Sequence, residues 1–423
     1  MVELSNPLHV LNNGPEKREE LGPVTLVPTA QAVSAHQVAQ RMPTSSYMEV
    51  ILTDQCNLRC SYCFEAGKNP HKMSDETAKA AVDFLMEVSR DTQRLTLLFF
   101  GGEPLLRFDL IKKITAYANA EAAKRGKSIG YDMTTNGTLV DAEKLSFLRD
   151  HKIKFLLSMD GVEGDQDRYR KFADGRGSYD IIVEKIPLMK RYQPWLGVKM
   201  TVSPASCVNL ARNILTLHEK GVNQFVLGYA HGMPWSTEDL ITYEQAMLDV
   251  CELYLQMKHE GRYFRMSLFE EGEPGEAGEK HSFGCGAGRG RFCVDSYGDV
   301  YGCSKLATIT GMRNGVLPFG NVFQGYTRPE NRKKFLVSHT GPREKCQTCE
   351  FNKVCAGGCP AVNFKATDDI YDPDDLSCKI VFVNQRIHDY MRDRHQEVFG
   401  VPVGQDPDKE YMKQAQADGP CDS

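Results

Sequence analysis

No stretch of this 423-residue chain approaches the long apolar run that a bilayer crossing requires. Met1 to Arg41 is polar and interrupted by prolines, without the basic-then-apolar pattern of a secretory signal. No strongly basic face stands out and the formal net charge is -5, so nothing calls for nucleic acid. These absences argue against a membrane protein, a secreted one and a nucleic-acid binder, and the chain reads as soluble and cytoplasmic. With 41% hydrophobic residues there is material for a sizeable core, and the length suggests two or three domains.

What the chain has in excess is cysteine, with fourteen in all. In a reducing compartment, clustered cysteines more often bind metal than form disulfides. Three lie near residue 60, and eight fall between Cys285 and Cys378. Cys207 and Cys251 sit in helical surroundings and read as core residues, and Cys421 lies in the tail.

From Tyr47 onward the pattern becomes regular. Strands are expected at Tyr47–Thr53, Leu95–Phe100, Tyr131–Thr134, Lys154–Ser158, Val198–Val202 and Gln224–Gly228. Helical spacing follows each, including a helix after the Ser74 N-cap and helices over Phe108–Lys124 and Thr237–His259. Six strand–helix units in alternation predict an α/β fold with a parallel sheet, a partial (βα)6 TIM-like barrel. Chemistry in such folds sits at the C-terminal ends of the strands. The rhythm stops near Glu270, where EEGEPGEAGEK reads as a linker. Beyond it comes a small cysteine-rich α+β region of short elements, with a last helix over Cys378–His395 and a flexible tail after Val401. The expected organisation is an extension over 1–45, the barrel over 46–265, the cysteine-rich region over 266–385, and the C-terminal helix and tail over 386–423.

Cys56, Cys60 and Cys63 are spaced C-x3-C-x2-C in a loop that directly follows the first strand. Three thiolates can hold three irons of a [4Fe–4S] cube and leave the fourth open to a ligand, as a catalytic metal site requires. A zinc site or free thiols would share the bare spacing. With Tyr62 before the third cysteine, the loop resembles the signature of the radical S-adenosylmethionine (SAM) superfamily. That resemblance implies that Cys56, Cys60 and Cys63 carry the reaction: the open iron chelates SAM, and one-electron cleavage yields a 5′-deoxyadenosyl radical.

Other segments at strand ends resemble the same family. Gly101-Gly102-Glu103-Pro104 is similar to the element that meets the SAM ammonium. Thr135-Asn136-Gly137-Thr138 and Ser158-Met159-Asp160-Gly161 correspond to regions that touch ribose and carboxylate, and Asp167-x-x-Arg170 places Arg170 for a carboxylate. The expected SAM-binding residues are therefore Tyr62, near the adenine, with Gly101, Gly102, Glu103, Thr135, Asn136, Ser158, Asp160 and Arg170.

Downstream, Cys285, Gly298 and Cys303 read as C-x12-G-x4-C, followed by Cys346-x2-Cys349-x5-Cys355-x3-Cys359 and Cys378. Alone, the run from Cys346 to Cys359 would also suit a zinc ribbon. The whole resembles the SPASM domain, an auxiliary-cluster module of radical SAM enzymes. The resemblance implies that Cys285, Cys303 and Cys359 hold one auxiliary [4Fe–4S] cluster and Cys346, Cys349, Cys355 and Cys378 a second, three clusters in all. Cys293 is either the fourth ligand of the first auxiliary cluster or a buried free thiol.

Enzymes that combine these modules mostly act on peptides or protein side chains. The resemblance implies a peptide substrate, an external electron donor of flavodoxin or ferredoxin type and, since the stretch before Tyr47 is short, capture by the barrel mouth, the arm or a separate leader-binding protein. A crosslink in a ribosomally made peptide is the expected product. Sulfatase-type side-chain oxidation, epimerisation and small-molecule dehydrogenation are the alternatives. Sulfatase maturases of this kind carry an aspartate base just after the C…G-x4-C element. Here that position is Ser304, with Asp295 the nearby acid that could substitute.

Overall fold

The computed structural model of the chain describes residues 41–64, 71–270, 285–312, 318–336, 344–353, 355 and 357–403. The expected N-terminal extension up to residue 40, the Gly/Glu/Pro linker beyond Glu270, most of the tail after Val401, and Cys421 lie outside the described residues.

The strands are β1 (Tyr47–Ile51), β2 (Arg94–Phe100), β3 (Ser128–Thr135), β4 (Ile153–Ser158), β5 (Leu196–Val202), β6 (Val222–Tyr229) and the short β7 (Arg265–Met266). They pair in sequence order and in parallel, as right-handed strand–helix–strand repeats do. Several begin one to three residues earlier than their apolar runs suggest: Ser128 opens β3 and Val222 opens β6. The helices Phe108–Lys124 and Thr237–His259 stand where the 3.6-residue periodicity puts them. Ser74 caps Asp75–Val88 by accepting the Thr77 amide at 3.0 Å, a contact that contributes about 1 kcal/mol.

Register sorts the sheet into two faces. Met48, Leu97, Tyr131 and Ile153 are neighbours across β1 to β4, as are Val50, Phe99, Met133 and Phe155. All are buried, and each full burial of this kind contributes about 1.5–3 kcal/mol. The Tyr131 hydroxyl lies 2.8 Å from Asn119 Oδ1 in the helix Phe108–Lys124, so this apolar face packs on the helices. The opposite face carries Glu49, Asp132, Lys154, Ser158 and Lys199. A closed barrel fills that side with branched apolar side chains. Here it is polar, and the sheet stays open, with β7 and β10 at its edges.

The cysteine-rich region is joined to the barrel more intimately than the expected boundary implies. Its strand β8 (Arg291–Val294) pairs in parallel with β1 and so continues the barrel sheet. The short β9 (Asp299–Tyr301) and β10 (Gly320–Asn321) follow antiparallel. Arg332, 1% exposed, ties the two regions: its guanidinium donates to the carbonyls of Pro43, Gly288 and Arg289 and to Ser45 and Tyr326 at 2.7–2.8 Å. The last helix runs Asp375–Phe399.

Candidate functional site

The loop after β1 is clamped from two sides. Gly102 N–H donates to the Thr53 carbonyl and Glu103 N–H to the Gln55 carbonyl, each at 2.9 Å. This approach demands glycine: a Cβ at Gly102 would lie 2.2 Å from the Gln55 oxygen, and one at Gly101, where φ is +124°, would lie 2.4 Å from the Thr53 oxygen. On the other side Arg59 N–H donates to the Lys171 carbonyl at 2.7 Å and Ser61 N–H to that of Tyr169 at 3.3 Å. Cys56, Cys60 and Cys63 are held between, each half-buried. The Cys56 thiol is pushed up to about 12, mainly by burial, with Cys60 and Cys63 adding to the effect. The Cys60 thiol is likewise pushed up by burial, against the pull of Arg170.

Asn136, just past the end of β3, points its side-chain amide at this loop. Its Nδ2 lies 3.7 Å from Cys56 Sγ and 2.9 Å from Asn57 Oδ1. Glu103, the residue expected at the SAM ammonium, follows β2. It is fully buried, and its carboxylate accepts from Leu105 N–H, Thr135 Oγ1 and Asn136 N–H at 2.8–3.1 Å. Burial pushes it up to about 7 against those three donors. Both oxygens are engaged by protein donors, so Glu103 braces Thr135 and Asn136.

Arg170 also has a partner inside the protein. It grips Asp160 in a bidentate pair, with both N–O distances 2.9 Å, and its guanidinium lies 5.4 Å from the Tyr62 ring centroid. Asp160 accepts in addition from Tyr62 Oη and from Thr201 N–H. The fold thus brings Tyr62, Asp160 and Arg170 together as one buried unit beside Cys60. Asp167 holds the amides of Ser178 and Tyr179 at 2.7 and 2.9 Å and serves as a helix cap. Ser158 closes β4 on the polar face, half-buried.

In the cysteine-rich region the thiols fall into two groups that cross in sequence. Cys303 is pushed well up by burial and then by Glu49, Cys359 and Cys285. Cys378 is pushed up to about 11 by burial, with Lys345 opposing and Cys355 and Cys346 adding. Cys359 therefore sits with Cys285 and Cys303, although the chain places it next to Cys355. Cys349 keeps to the second segment, its N–H donating to the Cys346 carbonyl. Cys293 stands in β8, fully buried, with Glu49 and Tyr301 as register partners. Cys207 and Cys251 are buried in the core. The donor chemistry, all-thiol and in separate groups, fits iron–sulfur clusters. Among the described residues no three His, Cys, Asp or Glu side chains converge on the position of a single metal ion.

Two positions differ from, or add to, the sequence reading. Asp295 bonds the amides of Tyr297 and Asp299 within the β8–β9 turn, at 3.0 and 2.9 Å, so it is engaged locally. His231, two residues beyond β6, was missed. Its signal was positional, since it follows a strand end just as the Gly101, Asn136 and Asp160 segments do.

Residues 50–202 match the Radical SAM superfamily family model. An uncharacterised protein of Methanocaldococcus jannaschii is 33% identical over 152 residues, 36% of this chain and 51% of that protein, so the chain spans about half the length of this relative. The serine-type anaerobic sulfatase-maturating enzyme of Klebsiella pneumoniae is 25% identical over 327 residues, 72% of this chain and 79% of the enzyme. Among solved structures, anSMEcpe with bound AdoMet and a Cp18Cys peptide aligns with a TM-score of 0.67 at 18% identity, over 83% of this chain and 98% of that one. Streptococcus suis SuiB bound to the precursor peptide SuiA aligns with a TM-score of 0.55 at 16% identity, over 80% and 77%. The structural likeness concerns the fold. Among the described residues no helix is long and apolar enough to cross a membrane.

Proposed function

We propose that the chain is a radical SAM enzyme that oxidises a peptide substrate, joining two of its residues by a thioether or carbon–carbon crosslink. When bound, an open-site [4Fe–4S] cluster with SAM supplies a radical that removes one hydrogen atom, and an auxiliary cluster supplies an acceptor for the remaining electron. Cys56, Cys60 and Cys63 would hold the first cluster. Cys285, Cys303 and Cys359 would hold the second, and Cys346, Cys349, Cys355 and Cys378 the third.

The observation that carries this reading is the crossed grouping of the downstream thiols beside the open trio. Lys305, two residues after Cys303, lies 5.8 Å from the ring of Phe64, the residue after Cys63. An electron acceptor close to the radical source suits a net two-electron oxidation, whereas epimerisation needs none. Gly101 and Gly102 let the β2 end approach the cysteine loop. Glu103, Thr135 and Asn136 fix the next strand end, and the Tyr62–Asp160–Arg170 unit walls the site beside Cys60. A reduced flavodoxin or ferredoxin is the proposed electron donor, and a separate leader-binding protein the proposed aid to capture.

Sulfatase-type maturation is the second reading, favoured by the likeness to the Klebsiella enzyme. Against it, Ser304 occupies the expected base position with its amide bonded to Glu49 Oε2 at 2.8 Å, and Asp295 is engaged in its turn. The test is anaerobic incubation with SAM, reductant and a peptide encoded beside the gene. Loss of two hydrogens with a new inter-residue bond is the expected product. An aldehyde in place of a serine or cysteine side chain would establish the second reading, and an unchanged mass with solvent deuterium uptake would establish epimerisation.

A further inference from the structure

A carboxylate of the barrel reaches into the cysteine-rich region. Glu49 stands in the middle of β1, the strand that leads into the loop of Cys56, Cys60 and Cys63. Strand alternation sets Tyr47, Glu49, Arg291 and Cys293 on one face of the parallel pair β1 and β8, with Tyr47 beside Arg291 and Glu49 beside Cys293. Glu49 Oε2 accepts from the Ser304 amide at 2.8 Å. Ser304 opens the helix Ser304–Met312 and directly follows Cys303, so this bond fixes the turn that carries the Cys303 thiol. Arg291 is tied in the same way to the other cysteine of the motif. Its N–H donates at 3.0 Å to the carbonyl of Gly286, the residue after Cys285.

The charge on Glu49 is only partly offset. Its other oxygen, Oε1, lies 3.7 Å from Arg291 Nη1, an ion pair without a short hydrogen bond. Arg291 is shared, because its guanidinium also stands 4.0 Å from the centre of the Tyr47 ring. The Glu49 side chain is 7% exposed and that of Arg291 is 30% exposed. Water screens the cation better than the anion, so the buried side of the pair keeps a net negative field. The thiols nearby feel both groups: Cys285, pushed up mainly by burial, is acted on by Arg291 and Glu49 with opposite signs. Charge close to an iron–sulfur cluster shifts its reduction potential, because the reduced form carries one more electron.

We infer that Glu49 lowers the reduction potential of the cluster assigned to Cys285, Cys303 and Cys359, and that Arg291 raises it. This rests on the cluster assignment above and goes beyond it: the strand that carries the radical-source loop also carries the charge that poises the electron acceptor. A lowered potential makes that cluster hold an accepted electron less tightly. Glu49 acts through the cluster and touches no substrate, so it is a positioning residue for charge.

The experiment is an anaerobic potentiometric titration of cluster-replete enzyme, followed by electron paramagnetic resonance. Cys285→Ala/Cys303→Ala/Cys359→Ala identifies the signal that belongs to this cluster. Glu49→Gln keeps an acceptor for the Ser304 amide and removes the charge. At a fixed potential it is expected to raise the reduced-to-oxidised ratio about ten-fold, which is ~59 mV for one electron. Arg291→Gln is expected to lower that ratio by a similar factor, and the double variant to return close to the parent. The signals of the other clusters should not move. Opposite signs distinguish a charge effect from loosened packing, which would shift both variants the same way. No shift in either variant, or shifts of the same sign, overturns the inference. Should Glu49→Gln bind less iron, Arg291→Gln decides alone: a lowered ratio supports the inference, and an unchanged or raised one overturns it. Full iron content and an unchanged spectrum in the Cys285 triple variant would overturn the cluster assignment and this inference with it. Loss of about a third of the iron in that variant, with unmoved potentials in the other two, overturns the inference alone.

Discussion

The two thiol-bearing regions are held in place by different means. The loop of Cys56, Cys60 and Cys63 hangs from a sheet whose core is complete without it. β1 and β2 pair along their length, and the Gly102, Glu103 and Arg59 amides fix the loop by ordinary hydrogen bonds. The downstream region has strands of two to four residues and thiols from four separate segments. If these thiols hold clusters as proposed, metal binding would add folding energy there. The difference teaches that a cysteine lost from the first region should remove chemistry, whereas one lost from the second should remove structure.

The largest test of this contrast is Cys56→Ala/Cys60→Ala/Cys63→Ala. Reductive cleavage of SAM to deoxyadenosine should be abolished, with the iron content of the purified protein down by about a third under three-cluster loading. Circular dichroism and thermal unfolding of the barrel should change little. Deoxyadenosine formation by the triple variant would show that the radical source lies elsewhere.

Cys359→Ser probes the other side. Because Cys359 groups with Cys285 and Cys303 while standing beside Cys355 in the chain, its loss should loosen both ends of the crossing. Hydrogen exchange should accelerate by an order of magnitude or more in β8, β9 and Pro360–Thr367, with protection in Phe108–Lys124 retained. Local exchange confined to the 355–360 stretch would mean that the two groups are not interlaced.

The contrast also marks what the sequence discloses. The barrel helices were legible because Phe108–Lys124 and Thr237–His259 repeat their apolar residues at helical spacing between clear ends. The barrel strands were read short at their starts, where residues such as Ser128 and Gly130 in β3 and Asn223 in β6 interrupt the apolar run without breaking the strand. The cysteine spacings point to metal sites from sequence alone, since ligand geometry would constrain such spacings locally. What escaped was whatever depends on distant segments meeting: β8 joining β1, and Arg332 reaching Pro43 and Ser45. Local pattern carries no information about such meetings. For the same reason the internal partners of Glu103 and Arg170, Asn136 and Asp160, were not legible, since they lie in other strand–helix units.

The smallest effect concerns Asp132, on the polar face that sets this sheet apart from a closed barrel. It is 5% exposed, and its Oδ2 has no hydrogen-bond partner among the described residues. Burial pushes its carboxyl up to about 6, with Lys154, its register partner on β4, and Arg291 pulling the other way. An unfolded aspartate ionises near pH 4. Between that value and about 6 the folded chain keeps a proton that the unfolded chain has released, so stability falls as pH rises through this window. The penalty is absent below the window and complete above it. Asp132→Asn keeps the shape and removes the titration. It should match the parent at the acid end and exceed it by about 1–3 kcal/mol above neutrality in anaerobic urea unfolding. A stability difference that does not vary with pH would mean that Asp132 is ionised throughout. Its charge would then be compensated by Lys154 and Arg291, making the polar face a satisfied ion network rather than a strained one.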